Sequence, residues 1–251
     1  MSLLAPQRHG SGSAFVWLHG FTQTRDSAHQ FRSILAGQRE LWTLDLPGHG
    51  TAQSLTATLE EAADLVAETL PDRPVALGGY SLGARVALHV ALRHAARLDR
   101  LVVLGATRGI LDDAERYDRR EHDERLADRL ESIGAEAFLD EWLAQPMFEG
   151  LPHDPLERAA RSTSAHGMAE SLRRAGTGTQ AWLGPTLKTM PVSTLALAGE
   201  RDAKFAAEAA AIGRSVPTGV SDVVADAGHA AHLEMPAATA ERILSFLAAS
   251  E

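Results

Sequence analysis

The strongest chemical signal in this sequence is a serine between two glycines. Gly79-Tyr80-Ser81-Leu82-Gly83 follows the apolar run Val75-Ala76-Leu77 and passes directly into the helical pattern ARVALHVALRHAARL. In a strand–turn–helix setting, G-x-S-x-G is a nucleophile elbow that lifts the serine hydroxyl above the strand ends. The glycines remove side chains that would collide where the chain reverses, and the helix that follows turns its positive end toward the hydroxyl. A serine placed this way needs an imidazole within hydrogen-bond reach and a carboxylate to fix that ring's tautomer.

Both partners can be sought at later strand ends, in the order serine, acid, histidine. The run TLALA at 194–198 ends in Gly199-Glu200-Arg201-Asp202, which makes Asp202 the acid candidate and Glu200 the lesser alternative. A strand over 220–225 ends in Asp226-Ala227-Gly228-His229, which makes His229 the base. His232, three residues on, reads as a pocket wall or a cap of the last helix. His19-Gly20-Phe21 closes the first strand, so the backbone N–H groups of Phe21 and Leu82 are the candidate oxyanion hole. His19 and His49 read as loop braces.

Between these anchors the pattern gives strands at 14–18, 41–46, 101–105, 194–198 and 220–225, with another over the apolar run 75–77 that leads into the elbow. Helices alternate with them at about 27–35, 58–70, 84–98, 203–214 and 237–248. Thr58-Leu-Glu-Glu is a capping-box start, and residues 1–13 are a Gly/Ser-rich lead-in. The alternation implies an α/β architecture with a mostly parallel sheet and helices on both faces. It breaks at Thr107. From there to about 189 only helical patterns appear, at 112–130, 136–144, 156–162 and 168–175. The expected organisation is a core of 1–106 and 190–251 with a helical lid, 107–189, inserted over the strand ends.

The charges narrow the chemistry. Arg85 lies four residues after Ser81, on the same helix face and ~6 Å along the axis. A guanidinium that close to the serine is costly to bury unless an anion meets it. The lid adds Arg116, Arg119, Arg120, Arg125, Arg161, Arg173 and Arg174, most of which read as solvated helix-surface charges. Together they favour a carboxylate-bearing small molecule over a neutral ester, because the guanidinium fork binds carboxylates bidentately. Trp142 reads equally as core or as a pocket wall.

The 251 residues suit one large α/β domain, and 45% hydrophobic with 23% charged residues is the balance of a globular protein. A net charge of −9 argues against a nucleic-acid partner. The chain has no cysteine, which excludes disulfides, thiolate zinc sites and a cysteine nucleophile. No signal-peptide core appears at the start, and no run approaches the ~18 apolar residues of a membrane span. A cytoplasmic protein is expected, monomeric or weakly self-associating, with no membrane contact.

The motifs carry a resemblance that runs nearly end to end. LHGF (18–21), LDLPGHG (44–50), GYSLGAR (79–85), ERYDR (115–119), WLAQPMF (142–148), GERDAKF (199–205) and AGHAAHLEMP (227–236) resemble the 2-succinyl-6-hydroxy-2,4-cyclohexadiene-1-carboxylate (SHCHC) synthases of menaquinone biosynthesis. These enzymes belong to the α/β-hydrolase superfamily. LHGF, PGHG and the elbow are widely shared there; the other runs are more selective. Ala84 departs from relatives that often carry a glycine at that position. The resemblance implies an α/β-hydrolase fold and a lyase that eliminates pyruvate from 2-succinyl-5-enolpyruvyl-6-hydroxy-3-cyclohexene-1-carboxylate. It also implies Ser81, Asp202 and His229 as the triad, with Arg85, Arg119 and Arg161 as carboxylate ligands. Tyr80 and Trp142 become pocket aromatics, and no metal or organic cofactor is needed. In the lid, Arg119 and its neighbour Arg120 remain to be told apart. The alternative is a serine hydrolase of the same fold acting on a carboxylate-bearing ester or a C–C bond.

Overall fold

The computed structural model describes residues 3–249. Two residues of the expected lead-in and the last two of the core segment lie outside the described residues. The first strand, β1 (Gln7–His9), lies within the stretch read as a lead-in and is a correction to it. It pairs antiparallel with β3 (Glu40–Leu44) at the sheet edge, Arg8 opposite Trp42. Three polar residues give no period-two signal; their backbone pairing and the Arg8 guanidinium, 3.8 Å over the Trp42 ring, hold them there.

β2 (Ala14–Leu18) is buried at every position, as a central parallel strand covered on both faces must be. Helix α1 (His29–Ala36) follows it, then β3. β3 stops at Leu44, two residues short of the expected end, because Asp45 is committed to a loop: its carboxylate accepts from the backbone N–H groups of Arg25 and Thr51, each at 2.8 Å. α2 (Leu59–Thr69) begins with the expected capping box, Thr58 and Glu61 each satisfying the other's backbone N–H. β4 (Val75–Tyr80) leads into α3 (Leu82–Arg93), and β5 (Leu98–Leu104) completes the first half.

Between β5 and β6 (Ser193–Gly199) the described chain is helical or irregular. α4 (Asp113–Leu143) is broken at Gly134, whose φ of 81° and ψ of 166° no other residue type adopts readily. α5 (Pro155–Ala159), α6 (Ala165–Ala175) and the one-turn α7 (Gly184–Leu187) follow. α8 (Ala203–Ser215), β7 (Gly219–Val224), the short α9 (Ala231–Glu234) and α10 (Pro236–Ala248) end the chain.

The seven strands run in the order β1-β3-β2-β4-β5-β6-β7, all parallel except β1. Alternation along β2 divides the core: Val16 and Leu18 pack with residues of α2 and α3, whereas Phe15 and Trp17 pack with residues of α1 and α10. A third, small apolar cluster ties α4 to α6 through Leu130, Phe138, Met168 and Leu172, with Phe21 and Trp142 at its margin. Among the described residues no helix is long and apolar enough to cross a membrane. The arrangement leaves the carboxyl ends of β2, β4, β6 and β7 converging beneath α4 and α6, where ligands of open α/β sheets bind.

Candidate active site

Ser81 sits between β4 and α3 with φ 50° and ψ −105°, a conformation that L-residues rarely adopt. The turn is held from both sides: Ser81 N–H donates to Leu104 O at 2.8 Å and Arg85 N–H to Ser81 O at 3.0 Å. A side chain at Gly79 would strike the Gly83 backbone, and one at Gly83 would strike the Leu18 carbonyl. Both glycines are thus required by close approach.

His229 lies on the loop after β7, its Nδ1 2.6 Å from Asp202 Oδ2. That contact puts the ring proton on Nδ1 and leaves Nε2 as the acceptor. The other Asp202 oxygen, Oδ1, accepts from Phe205 N–H at 3.3 Å and caps α8. One carboxylate therefore both orients His229 and caps α8. Glu200, the alternative acid, accepts from Asp226 N–H at 3.0 Å instead. The His229 ring is buried against Phe205 and Tyr80, with centroids 4.4 and 5.3 Å away. Ser81, Asp202 and His229 line one cavity of about 300 Å³, together with Phe21, Tyr80, Leu82 and Trp142.

The loop after β2 is braced as a unit. Leu46 N–H donates to His19 Nε2 at 3.0 Å, so His19 Nδ1–H is free to donate to Gly20 O at 2.8 Å. Gly20 N–H in turn donates to Gln23 Oε1 at 2.8 Å. A Cβ at Gly20 would lie 2.5 Å from the Tyr80 ring, so the backbone can press against that ring only as glycine. His49 stacks edge-on against Phe21, 5.7 Å away, and burial brings its pKa down to about 3. Both histidines are loop braces.

Trp142 stacks near-parallel on Phe138 at 5.9 Å and meets Phe21 edge-on at 5.1 Å. It packs at once on the α4–α6 apolar cluster and on the cavity as its wall. His232 turns away from Ser81. It packs on Tyr80 at 4.3 Å, its Nε2 lies 3.2 Å from the Gln23 amide, and burial lowers its pKa to about 3. It lines a neighbouring cavity of about 670 Å³ that does not include Ser81.

The arginines separate cleanly. Arg85 is 8% exposed and lines the Ser81 cavity. Its Nη1 donates to Ala175 O at 2.8 Å, and no carboxylate forms an ion pair with it among the described residues. Burial, then the charge of Arg119, lowers its pKa to about 10. Arg119 also lines the cavity while donating from Nε to Asp123 at 2.8 Å. Arg120 points elsewhere, to Gly178 O. Arg161 does not line this cavity; its Nη1 donates to Thr22 Oγ1 at 2.7 Å, its Nη2 lies 3.7 Å from Glu157, and it borders the His232 cavity. Arg116 pairs with Asp113, Arg174 with Glu170, and Arg173 with four lid carboxylates. His122, Gln145 and Lys204 also line the Ser81 cavity, and none of them belongs to the serine, acid and histidine pattern. Gln145 and Lys204 lie within the runs WLAQPMF and GERDAKF, three residues past Trp142 and two past Asp202, and that proximity was the available signal.

A model of the alpha/beta hydrolase family matches residues 15–242. The 2-succinyl-6-hydroxy-2,4-cyclohexadiene-1-carboxylate synthase of Yersinia enterocolitica is 34% identical, over 98% of this chain and 90% of its own. The chain belongs to the SHCHC synthase family of alpha/beta hydrolases. The synthase of Photorhabdus laumondii is also 34% identical, covering 82% of this chain and 77% of its own. Among solved structures, MenH from S. aureus superposes with a TM-score of 0.89 at 30% identity, covering 98% of both chains. A thermophilic esterase from Thermogutta terrifontis reaches 0.82 at 24% identity, a likeness of fold alone.

Proposed function

We propose that the protein is an SHCHC synthase: it eliminates pyruvate from 2-succinyl-5-enolpyruvyl-6-hydroxy-3-cyclohexene-1-carboxylate. The observation that carries this reading is the buried Arg85 guanidinium one helical turn from Ser81, which forms no ion pair with a carboxylate among the described residues. A substrate carboxylate is the missing counter-ion. The relatives that share the fold over nearly the whole chain bear the name of this lyase.

In the proposed reaction, His229, held by Asp202, takes the Ser81 proton as Ser81 Oγ takes the proton α to the succinyl ketone. The electron pair from the C–H bond moves onto the ketone oxygen, which the N–H groups of Phe21 and Leu82 hold as charge develops. Its return forms the C2–C3 double bond, moves the C3–C4 π pair to C4–C5 and breaks the C5–O bond, releasing enolpyruvate, which takes up a proton at its methylene carbon as it becomes pyruvate. Arg85 and Arg119 bind substrate carboxylates, and Tyr80 and Trp142 bound the ring. Arg161 tethers Thr22, next to Phe21, and supports the oxyanion loop. Residues 107–189 act as a lid on the core. The absence of cysteine suits a cytoplasmic enzyme.

The same relay would serve an acyl-serine hydrolase, so the test must separate the two. The purified enzyme, incubated with the enolpyruvyl substrate, releases stoichiometric pyruvate as the conjugated diene absorbance of the product rises. Fast turnover of p-nitrophenyl esters with no pyruvate released would reject the lyase.

A further inference from the structure

The Ser81 cavity holds one cation that comes from neither the elbow helix nor the lid. Lys204 is the second residue of α8, two positions after the Asp202 carboxylate that orients His229. It lines the Ser81 cavity and also the adjoining cavity of about 810 Å³, and so stands where the two meet. Its ammonium lies 5.5 Å from the centroid of Phe205, the ring packed on His229.

Three observations set this lysine apart. The chain has only two lysines beside twenty-two arginines, and one of them is here. It occupies the first turn of α8, where the helix dipole opposes a cation and the capping carboxylate, Asp202, is taken up by His229 and the Phe205 N–H. Its natural partner one turn on, Glu208, is already engaged: that carboxylate accepts from Arg108 N–H at 3.0 Å, from Nε at 3.2 Å and from Nη2 at 3.1 Å. Among the described residues no ion pair forms to Lys204. A cation left without an ion pair where two cavities meet points to an anion from outside.

We propose that Lys204 is a substrate-contact residue that binds the carboxylate departing with pyruvate. This rests on the lyase reading above. The substrate has three carboxylates, but only Arg85 and Arg119 reach the cavity from α3 and the lid, since Arg161 is tied to Thr22. A compact ammonium at the mouth supplies the third contact. It suits a group that must leave, because it makes a point-charge contact without the bidentate fork of arginine.

The test uses steady-state kinetics on the full chain. Lys204→Met raises KM for the enolpyruvyl substrate about tenfold with kcat within about twofold, and raises the inhibition constant of added pyruvate by a similar factor. Inhibition by the SHCHC product, which lacks the departing carboxylate, stays within about twofold. Lys204→Arg retains most of the affinity. The chain has no cysteine, so Lys204→Cys can be aminoethylated with 2-bromoethylamine, which restores the cation and the low KM; carbamidomethylation does not. Lys188→Met, at the exposed lysine beyond α7, changes none of these constants. Normal pyruvate release by the wild type with an unchanged pyruvate inhibition constant in Lys204→Met overturns this assignment alone. Equal weakening of pyruvate and product overturns it too. Absence of pyruvate release by the wild type overturns the lyase reading and this assignment together.

Discussion

Replacing Arg85 with methionine should make the protein more stable and nearly inactive. The guanidinium is buried with a backbone carbonyl, Ala175 O, as its hydrogen-bond acceptor. Burial and Arg119 bring its pKa from 12.5 to about 10. At ~1.4 kcal/mol per unit, holding the charge there costs about 3 kcal/mol. The cost is fully present below pH 10, because folded and unfolded chains both carry the proton, and it disappears only as pH rises from about 10 to 12.5. Methionine keeps the apolar stem and removes the charge, but leaves Ala175 O unpaired at about 1–3 kcal/mol. The net gain is about 1 kcal/mol, or about 3 °C in Tm for a chain of this size. Calorimetry of Arg85→Met at pH 7 measures it. Parallel kinetics should show kcat/KM for the tricarboxylate lowered about 100-fold, against less than tenfold for a neutral ester. A Tm several degrees below the wild type would refute the reasoning, for it would mean that the fold already neutralises the charge. Equal losses on both substrates would mean that Arg85 merely supports α3.

Asp202→Asn separates the two tasks of that side chain. Asparagine caps a helix as well as aspartate does, so Tm should change by less than about 2 °C, while kcat falls by about 10²–10⁴ as the His229 tautomer is lost; a matching fall in Tm would make Asp202 chiefly a cap. His49 and His232 are buried and neutral, with pKa values lowered to about 3. The unfolded chain binds their protons first, so their contribution to stability is complete above about pH 6.5 and is lost as pH falls toward 3, at about 1.4 kcal/mol per unit for each. Urea unfolding from pH 7 to 4 measures it, and a His232→Gln variant with an undiminished slope would remove His232 from the account.

What the chain discloses by itself depends on periodicity. β2, β4 and β6 are apolar runs that end in short loops, and their order follows from the α/β alternation, so the strand ends that carry Ser81 and Asp202 are legible. β1 was not legible because its three polar residues are placed by pairing with β3 alone. The lid is legible as helices but not as rotations. Arg119 and Arg120 are ~100° apart on one helix, and only packing of α4 decides which faces Ser81. Arg161 falls just beyond α5, which ends at Ala159 although the helical pattern runs to 162, and Gln145 just beyond α4, so helical periodicity gives the direction of neither side chain. Lys204 was hidden for another reason. Its meaning comes from Glu208 being occupied by Arg108, a residue a hundred positions away.

The elbow and its relay were built by folding rules common to many hydrolases, so they do not select between attack and proton abstraction. The surrounding charge does. The chain is acidic as a whole, yet Arg85, Arg119, Lys204 and the amino ends of α3 and α8 surround one 300 Å³ space. Low-dielectric walls focus such a field. A neutral ester leaves these cations without a counter-charge, whereas a polycarboxylate supplies one to each as it binds. Selection of the substrate therefore rests on the cations rather than on the relay, which is why Arg85, at its cost to the fold, is the residue on which the assignment turns.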